Sequence, residues 1–299
     1  MKVIVIGAGV VGTTTAYFLW KAGCEVAVIE READAALETS FGNGGVIHVS
    51  EAETWSRPGM PMKILRWVGD EEAPLLLRPR ALPQMWKWGI AFLRNCSDAR
   101  FRKNTLANLR FGRYSLDALH EITADVAIDY DRSTRGVLKI YRSNEALDAA
   151  IQACELFSKN GLSYRALTPA ESATYEPALA ATSSSLVGAL HFPTDEVGDC
   201  RKFTQGLAAH LAQHGVDVRF GTAVKGISMN DGAVSAVETD RGSLRADAVV
   251  VAAGSFTPLL VRPLDIQLPI CPVRGISITV PAAPWKGAIR TPTIADANL

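Results

Sequence analysis

The sequence of 299 residues has no surplus of charge: 31 Lys and Arg balance 31 Asp and Glu. A dedicated nucleic-acid binder normally carries a basic excess, so no nucleic-acid partner is expected. Cysteine is scarce as well. Cys24, Cys96, Cys154, Cys200 and Cys271 are scattered and form no Cys-x-x-Cys pair. That excludes a disulfide framework and a structural zinc site, and the five read as structural thiols. The histidines lack metal spacing: His210 and His214 stand four apart on a helix end, but no third ligand joins them. No metal is expected. There is no internal repeat and no low-complexity segment. Apolar residues are not lacking, and 48% hydrophobic against 21% charged excludes intrinsic disorder. At roughly 100–200 residues per domain, the length suits about two domains.

Val3 to Trp20 carries no charge and lies between Lys2 and Lys21, the outline of an export signal. Gly7, Gly9 and Gly12 interrupt it where an export helix needs continuous apolar side chains. Lys21 also stands where a lipoprotein cleavage site ahead of Cys24 wants an apolar residue. Neither export nor a membrane span is expected.

What the N-terminus does contain is a strand, a glycine turn and a helix. Lys2 to Ile6 is a β-branched run suited to a buried parallel strand. Gly7-Ala8-Gly9-Val10-Val11-Gly12 follows and matches G-x-G-x-x-G. Thr13 to Ala22 reads as a helix stopped by Gly23, and Glu25 to Ile29 as a second strand closed by Glu30. In this spacing Gly7 allows the tight turn, and Gly9 lets the backbone approach a pyrophosphate. Gly12 lets the helix pack close to the strand, and the helix N-terminus faces the phosphate charge. Glu30 stands where an acid hydrogen-bonds a ribose hydroxyl, which favours FAD or NAD over NADP. The competing reading is a glycine-rich turn in some other α/β protein.

A nicotinamide dehydrogenase would continue with alternating strands and helices. Here Arg31 to Leu37 leads into Glu38-Thr39-Ser40-Phe41-Gly42-Asn43-Gly44-Gly45, a polar loop suited to wrapping a flat polar ring system. The opening motif, Glu30-Arg31 and Thr39-Ser40-x-x-Asn43-x-Gly45 together resemble the D-amino-acid oxidase superfamily of FAD enzymes. Within it the chain is most similar to the subgroup of bacterial D-amino-acid dehydrogenase small subunits. Further landmarks keep the order of that subgroup: Trp55-Ser56-Arg57-Pro58-Gly59-Met60-Pro61, the Trp86–Cys96 segment, Asp195-Glu196-Val197-Gly198-Asp199-Cys200 and Pro272-Val273-Arg274-Gly275. Val197 stands for the Thr of that pattern, and Arg274 for its Lys.

The resemblance implies an α/β fold: a Rossmann-like FAD-binding domain interleaved with a mixed α+β substrate domain. The FAD-binding parts are 1–50 and 194–262. The substrate parts are 51–193 and 263–299, the last of them incomplete, because relatives run past Leu299. It implies FAD contacts at Gly7, Gly9, Val10, Val11, Gly12, Glu30, Arg31, Thr39, Ser40, Asn43, Gly44 and Gly45. It adds a main-chain group at Val224 facing the adenine, and small residues, Ala253 and Gly254, where a strand end passes the cofactor. The implied reaction is hydride transfer from the α-carbon of a D-amino acid to flavin, with electrons passed to a respiratory acceptor such as a quinone. No general base is required if the amine binds neutral. A substrate carboxylate would want an arginine fork, for which Arg274 is a weak candidate. Other readings stay open: a related amine oxidoreductase acting on hydroxyproline, glycine or sarcosine, or a flavin-binding fragment without turnover.

The remaining elements follow from pattern. Residues 101–122 and 145–159 read as helices, Gly136 to Tyr141 and Leu186 to Phe192 as strands. Asp199 to Gln213 is a further helix, and Val216 to Phe220 matches the third parallel strand of a dinucleotide fold. A hairpin turns at Asn230-Asp231-Gly232, and Ala246 to Gly254 reads as a buried strand. Residues 60–113 hold eleven Lys or Arg against four Asp or Glu. With Trp86, Trp88 and Phe92 among them, this is either a core-facing helix with a solvated basic face or a seat on an anionic membrane. The resemblance favours the second, as loose contact of a cytoplasmic protein with the inner membrane.

Overall fold

The computed structural model describes residues 1–73, 75–275, 278, 289 and 291–295. The chain opens with β1 (Lys2–Ile6), α1 (Val10–Lys21), β2 (Glu25–Ile29) and β3 (Val46–Ile47). The helices α2 (Met60–Trp67), α3 (Leu82–Arg94) and α4 (Asp98–Asp125) follow. Next come β4 (Val137–Tyr141), α5 (Asn144–Ser158), β5 (Arg165–Leu167), α6 (Pro169–Tyr175), β6 (Gly188–Phe192) and β7 (Glu196–Val197). α7 (Cys200–Gln213) leads to β8 (Asp217–Arg219), β9 (Val224–Asn230), β10 (Ala233–Thr239), β11 (Gly242–Arg245) and β12 (Ala248–Val251). α8 (Thr257–Val261) and β13 (Thr293–Ala295) come last.

The chain divides into two compact units. The first takes Met1–Gly45, Ile122–Asp131 and the described residues of Gly198–Ser277. Its parallel sheet has the order β12-β1-β2-β8. β1 lies inside that order, so Val3, Ile4, Val5 and Ile6 are all buried, which explains a run with no polar alternation. β12 was expected to be a buried strand reaching Gly254. It stops at Val251 and is only half-buried, because it stands at the end of the sheet order with a neighbour on one side. α1 and α7 pack on each other. Asp199 caps α7, its Oδ1 accepting from the Lys202 N–H at 2.9 Å. β9, β10 and β11 form an antiparallel sheet. Asp231 and Gly232 turn between β9 and β10 with φ of 50° and 78°, the two left-handed residues a tight hairpin needs. A shared core joins Ile4, Ile6, Ala27, Ile29, Val237 and Ala246.

The second unit takes Val46–Glu121, Arg132–Val197 and the described residues of Ile278–Leu299. Its larger sheet has the order β13-β4-β6-β5, and β3 pairs with β7. β6 is buried throughout. Cys154 and Phe157 of α5 pack with Leu109 and Leu116 of α4, Tyr141, Leu190 and Phe192. α6 begins with a capping box that the sequence reading passed over. The Thr168 hydroxyl accepts from the Glu171 N–H at 3.2 Å, and Glu171 accepts from the Thr168 N–H at 2.8 Å.

Candidate cofactor site

The glycine turn between β1 and α1 is held by backbone. The Gly7 N–H donates to the Ile29 carbonyl at 2.9 Å, with φ at 107°. A Cβ at Gly7 would fall 2.6 Å from the Ala252 carbonyl oxygen, and one at Gly12 would fall 1.8 Å from the Gly7 carbonyl oxygen. Gly12 therefore lets α1 sit against the end of β1, as its position in the motif predicts. Gly9 differs. A Cβ there would meet only the Ser40 Oγ, at 3.3 Å. Gly9 is also the N-cap of α1 and has no side chain to cap it; of the first-turn N–H groups, that of Val10 is taken by the Ser40 Oγ. The helix start therefore offers N–H groups and the positive end of a dipole over a turn that only a side chain would fill. That arrangement fits the pyrophosphate of a dinucleotide. Val11, in the first turn, is exposed, and Val10 donates its N–H to the Ser40 Oγ at 3.0 Å.

Glu30 sits beneath this turn. One carboxylate oxygen accepts from the Ala8 N–H at 2.7 Å, the other from the Glu32 N–H at 2.9 Å. A carboxylate offers about four acceptor positions, so it still has capacity for a ribose hydroxyl. Arg31 lies over the Phe256 ring at 4.0 Å and pairs with Glu32 and Glu38. In the polar loop Asn43 braces the backbone: its amide donates to the Thr39 and Ser40 carbonyls, and its Oδ1 accepts from the Gly45 N–H at 2.8 Å. Gly44 follows it, half-buried Gly45 next. Val224 and Ala253 pack against the same core as Ile6 and Ile29, and Gly254, with φ at 51°, opens the short helical turn after Ala253. The Gly7–Gly12 turn, Glu30 and Ser40 thus gather around the ends of β1 and β2. Arg274, the candidate for the substrate carboxylate, is exposed.

Sequence reasoning missed Gly198 and Tyr130. Gly45 and Gly198 meet backbone to backbone: the Gly198 N–H donates to the Gly45 carbonyl at 2.8 Å. A Cβ at Gly45 would lie 2.6 Å from the Gly198 carbonyl oxygen, and one at Gly198 2.4 Å from the Tyr130 ring. Only the Gly-Asp of the Asp195–Cys200 motif hinted at this contact.

The same motif organises the second unit. Asp195 is fully buried. Its Oδ1 accepts from the Val49 and Ser50 N–H groups at 2.9 and 3.1 Å, and its Oδ2 faces the Ser50 hydroxyl and the His48 Nδ1. Glu196, also buried, accepts two hydrogen bonds from Arg132 at 2.7 and 2.9 Å and pairs with His120 at 2.7 Å. Burial alone would raise its pKa. The bonds from Arg132 and His120 outweigh that and hold it below the ordinary carboxylate value. Among the described residues no group of His, Cys, Asp or Glu has the arrangement of a metal site.

The family model for FAD-dependent oxidoreductases of the DAO type matches residues 2–298. The chain belongs to this family. A D-amino acid dehydrogenase of Paramagnetospirillum magneticum is 45% identical over 289 residues, 96% of this chain and 68% of that protein. One from Rhodopseudomonas palustris is 43% identical over 281 residues, 94% of this chain and 66% of that protein. The chain thus spans about two thirds of the length of the curated relatives it matches. Among solved structures, an L-proline dehydrogenase from P. horikoshii shares the fold with a TM-score of 0.63 at 20% identity, covering 98% of this chain and 64% of that one.

Proposed function

We propose that the chain has the activity of an FAD-dependent D-amino-acid dehydrogenase. The observation that carries this reading is the turn at Gly9: a helix start whose N-cap has no side chain and which main chain does not crowd, in a chain 45% identical to a D-amino acid dehydrogenase. Gly7, Gly9, Val10, Val11 and Gly12 would hold the pyrophosphate, and Glu30 with Arg31 the adenosine ribose side. The Val224 backbone would face the adenine. Thr39, Ser40, Asn43, Gly44 and Gly45 would lie along the rest of the cofactor, with Ala253 and Gly254 at its edge. When bound, FAD supplies the hydride acceptor for the substrate α-carbon, and water then hydrolyses the imino acid to a 2-oxo acid and ammonia.

The chain's own residues bind and orient. Asn43 keeps the loop in one shape by tying three backbone groups together, so the cofactor meets a preformed wall. The buried Asp195 holds the 48–50 segment just after that wall. Electrons leave to a lipid-soluble quinone in this reading, which requires cytoplasmic protein in peripheral contact with the membrane. No helix among the described residues is long and apolar enough to cross one.

The test is a flavin titration on the purified chain. Bound FAD bleached by D-alanine, and not by L-alanine or sarcosine, is the expected result. Bleaching by sarcosine or glycine instead would move the assignment to the related amine oxidoreductases. Bound flavin that no amine reduces would leave a binding fragment.

A further inference from the structure

We infer that the second unit carries a binding pocket for a small organic carboxylate without an ammonium group, formed where the residues leading into β4, the end of α6 and the residues leading into β13 meet. The choice of ligand rests on the reading above, whose 2-oxo acid product has this chemistry. A cavity of about 420 Å³ opens there, lined by Arg135, Thr174, Tyr175, Pro177 and Thr291. That volume lies within the range of small-molecule sites, about 300–1,000 Å³. All five residues belong to the second unit.

Strand pairing assembles the walls. β13 runs parallel beside β4, and the Leu138 N–H donates to the Pro292 carbonyl at 2.9 Å, which brings Thr291 to the entry of β4. Thr291 is also tied to the end of α6. Its hydroxyl donates to the Tyr175 carbonyl at 2.8 Å, and its N–H to a Glu176 carboxylate oxygen at 2.6 Å. His191, on β6, seats two further parts of the wall. Its Nε2 donates to the Arg135 carbonyl at 3.0 Å, and its ring centroid lies 4.5 Å from that of Tyr175. His191 is 6% exposed, and its Nδ1 is buried with no hydrogen-bond partner among the described residues. A buried nitrogen without a partner costs stability, and the fold keeps this one where the ring holds Arg135 and Tyr175.

Charge and hydrogen-bond donors point to an anion. Arg135 is the one charged residue among the described residues of the lining. Arg165 adds a second cation, its Nη1 donating to the Tyr175 Oη at 3.0 Å. The phenol oxygen accepts that bond, so its own proton stays available to a ligand oxygen. The acids of this region are engaged with main-chain N–H groups, Glu176 with those of Ala178 and Thr291, and Glu171 with that of Thr168. A carboxylate matches a guanidinium fork with a hydroxyl donor in the same wall. The ammonium of an amino acid would instead stand near Arg135 with no carboxylate in the lining to offset it. The Tyr175 ring and Pro177 offer a flat apolar surface to the rest of the ligand, which favours an organic acid over inorganic phosphate.

The experiment uses the full chain with FAD bound and titrates it with phenylpyruvate, L-phenylalanine and inorganic phosphate by isothermal calorimetry. Phenylpyruvate should bind at least about tenfold more tightly than the other two. Arg135→Gln should weaken phenylpyruvate about tenfold or more, from the lost charged hydrogen bond, and Tyr175→Phe about three- to tenfold, from the lost phenol donor. Arg135 is exposed, and Tyr175→Phe keeps a ring against His191, so both variants should melt with the parent. Three results would overturn the inference: no phenylpyruvate binding, binding unchanged in either variant, or L-phenylalanine or phosphate binding as tightly as phenylpyruvate. Bleaching of the flavin by D-alanine is followed alongside. Bleaching intact with no phenylpyruvate binding counts against this pocket. Flavin that D-alanine leaves unbleached, with phenylpyruvate bound and sensitive to both variants, counts against the dehydrogenase reading and leaves the pocket standing.

Discussion

Gly12→Ala sets two effects of opposite sign against each other. Gly12 lies inside α1, where alanine is favoured over glycine by about 1 kcal/mol. Its Cβ, however, would fall 1.8 Å from the Gly7 carbonyl oxygen and 2.9 Å from the Gly7 carbonyl carbon. Both are main-chain atoms, so no rotamer change relieves them. Restoring an ordinary approach requires α1 to withdraw from β1 by about 1.5 Å. The interface that would open is fully packed: Ile4, Ala16 and Tyr17 have no exposed surface. Overpacking costs about 1–3 kcal/mol and more when backbone must shift, so the clash wins and the net loss is about 2 kcal/mol. For a chain of 299 residues that lowers the melting temperature by about 3 °C. The assay is a circular-dichroism melt without added FAD, together with flavin retained through gel filtration. Gly226→Ala is the control, because nothing lies within 4 Å of its Cβ position, and its melt should stay level or rise. A Gly12→Ala chain that melts with the parent and keeps its flavin would refute the close approach of helix and strand.

Other outcomes follow from the same geometry. Gly198→Ala should destabilise by about 1–3 kcal/mol, since its Cβ meets the ring of Tyr130, which is buried edge-on to Phe203. The cost should shrink in a Tyr130→Leu background, and a denaturant double-mutant cycle measures it. Ser40→Ala removes the acceptor of the Val10 N–H and should cost about 1 kcal/mol and loosen FAD, read by equilibrium dialysis. Glu196 titrates below its unfolded value, so its contribution is present above about pH 4.5 and is lost as pH falls through the folded pKa. Glu196→Gln should cost about 1–3 kcal/mol at pH 7 and lose stability less steeply between about pH 5 and pH 3. An acid slope identical to the parent's would show that Glu196 carries none of it.

Much of the cofactor site was legible because its logic is local. Gly7, Gly9, Gly12 and Glu30 act through a turn and two flanking strands, and every residue the motif needs lies within a few dozen positions. The Asp231-Gly232 turn was equally readable, since it depends on the backbone freedom of two residues. Asn43 was expected to touch the cofactor; the structure adds that it first braces its own loop. The half-burial of β12 was not legible, because Val249, Val250 and Val251 look like an interior strand until the sheet order places them at its end.

By itself the sequence determined the opening strand, turn and helix, the alternation of helices and strands, and the chemistry a dinucleotide would meet. Periodicity and turn chemistry are properties of neighbouring residues, and they survive in any context. Tertiary structure alone decided the long-range pairings. Asp195 finds the 49 and 50 N–H groups 146 and 145 residues away, and Glu196 finds Arg132 across 64. It also decided which side of α3 meets solvent. Both sides are apolar in sequence, and the fold leaves Met85, Trp88 and Phe92 half-buried and Trp86, Ile90 and Leu93 exposed.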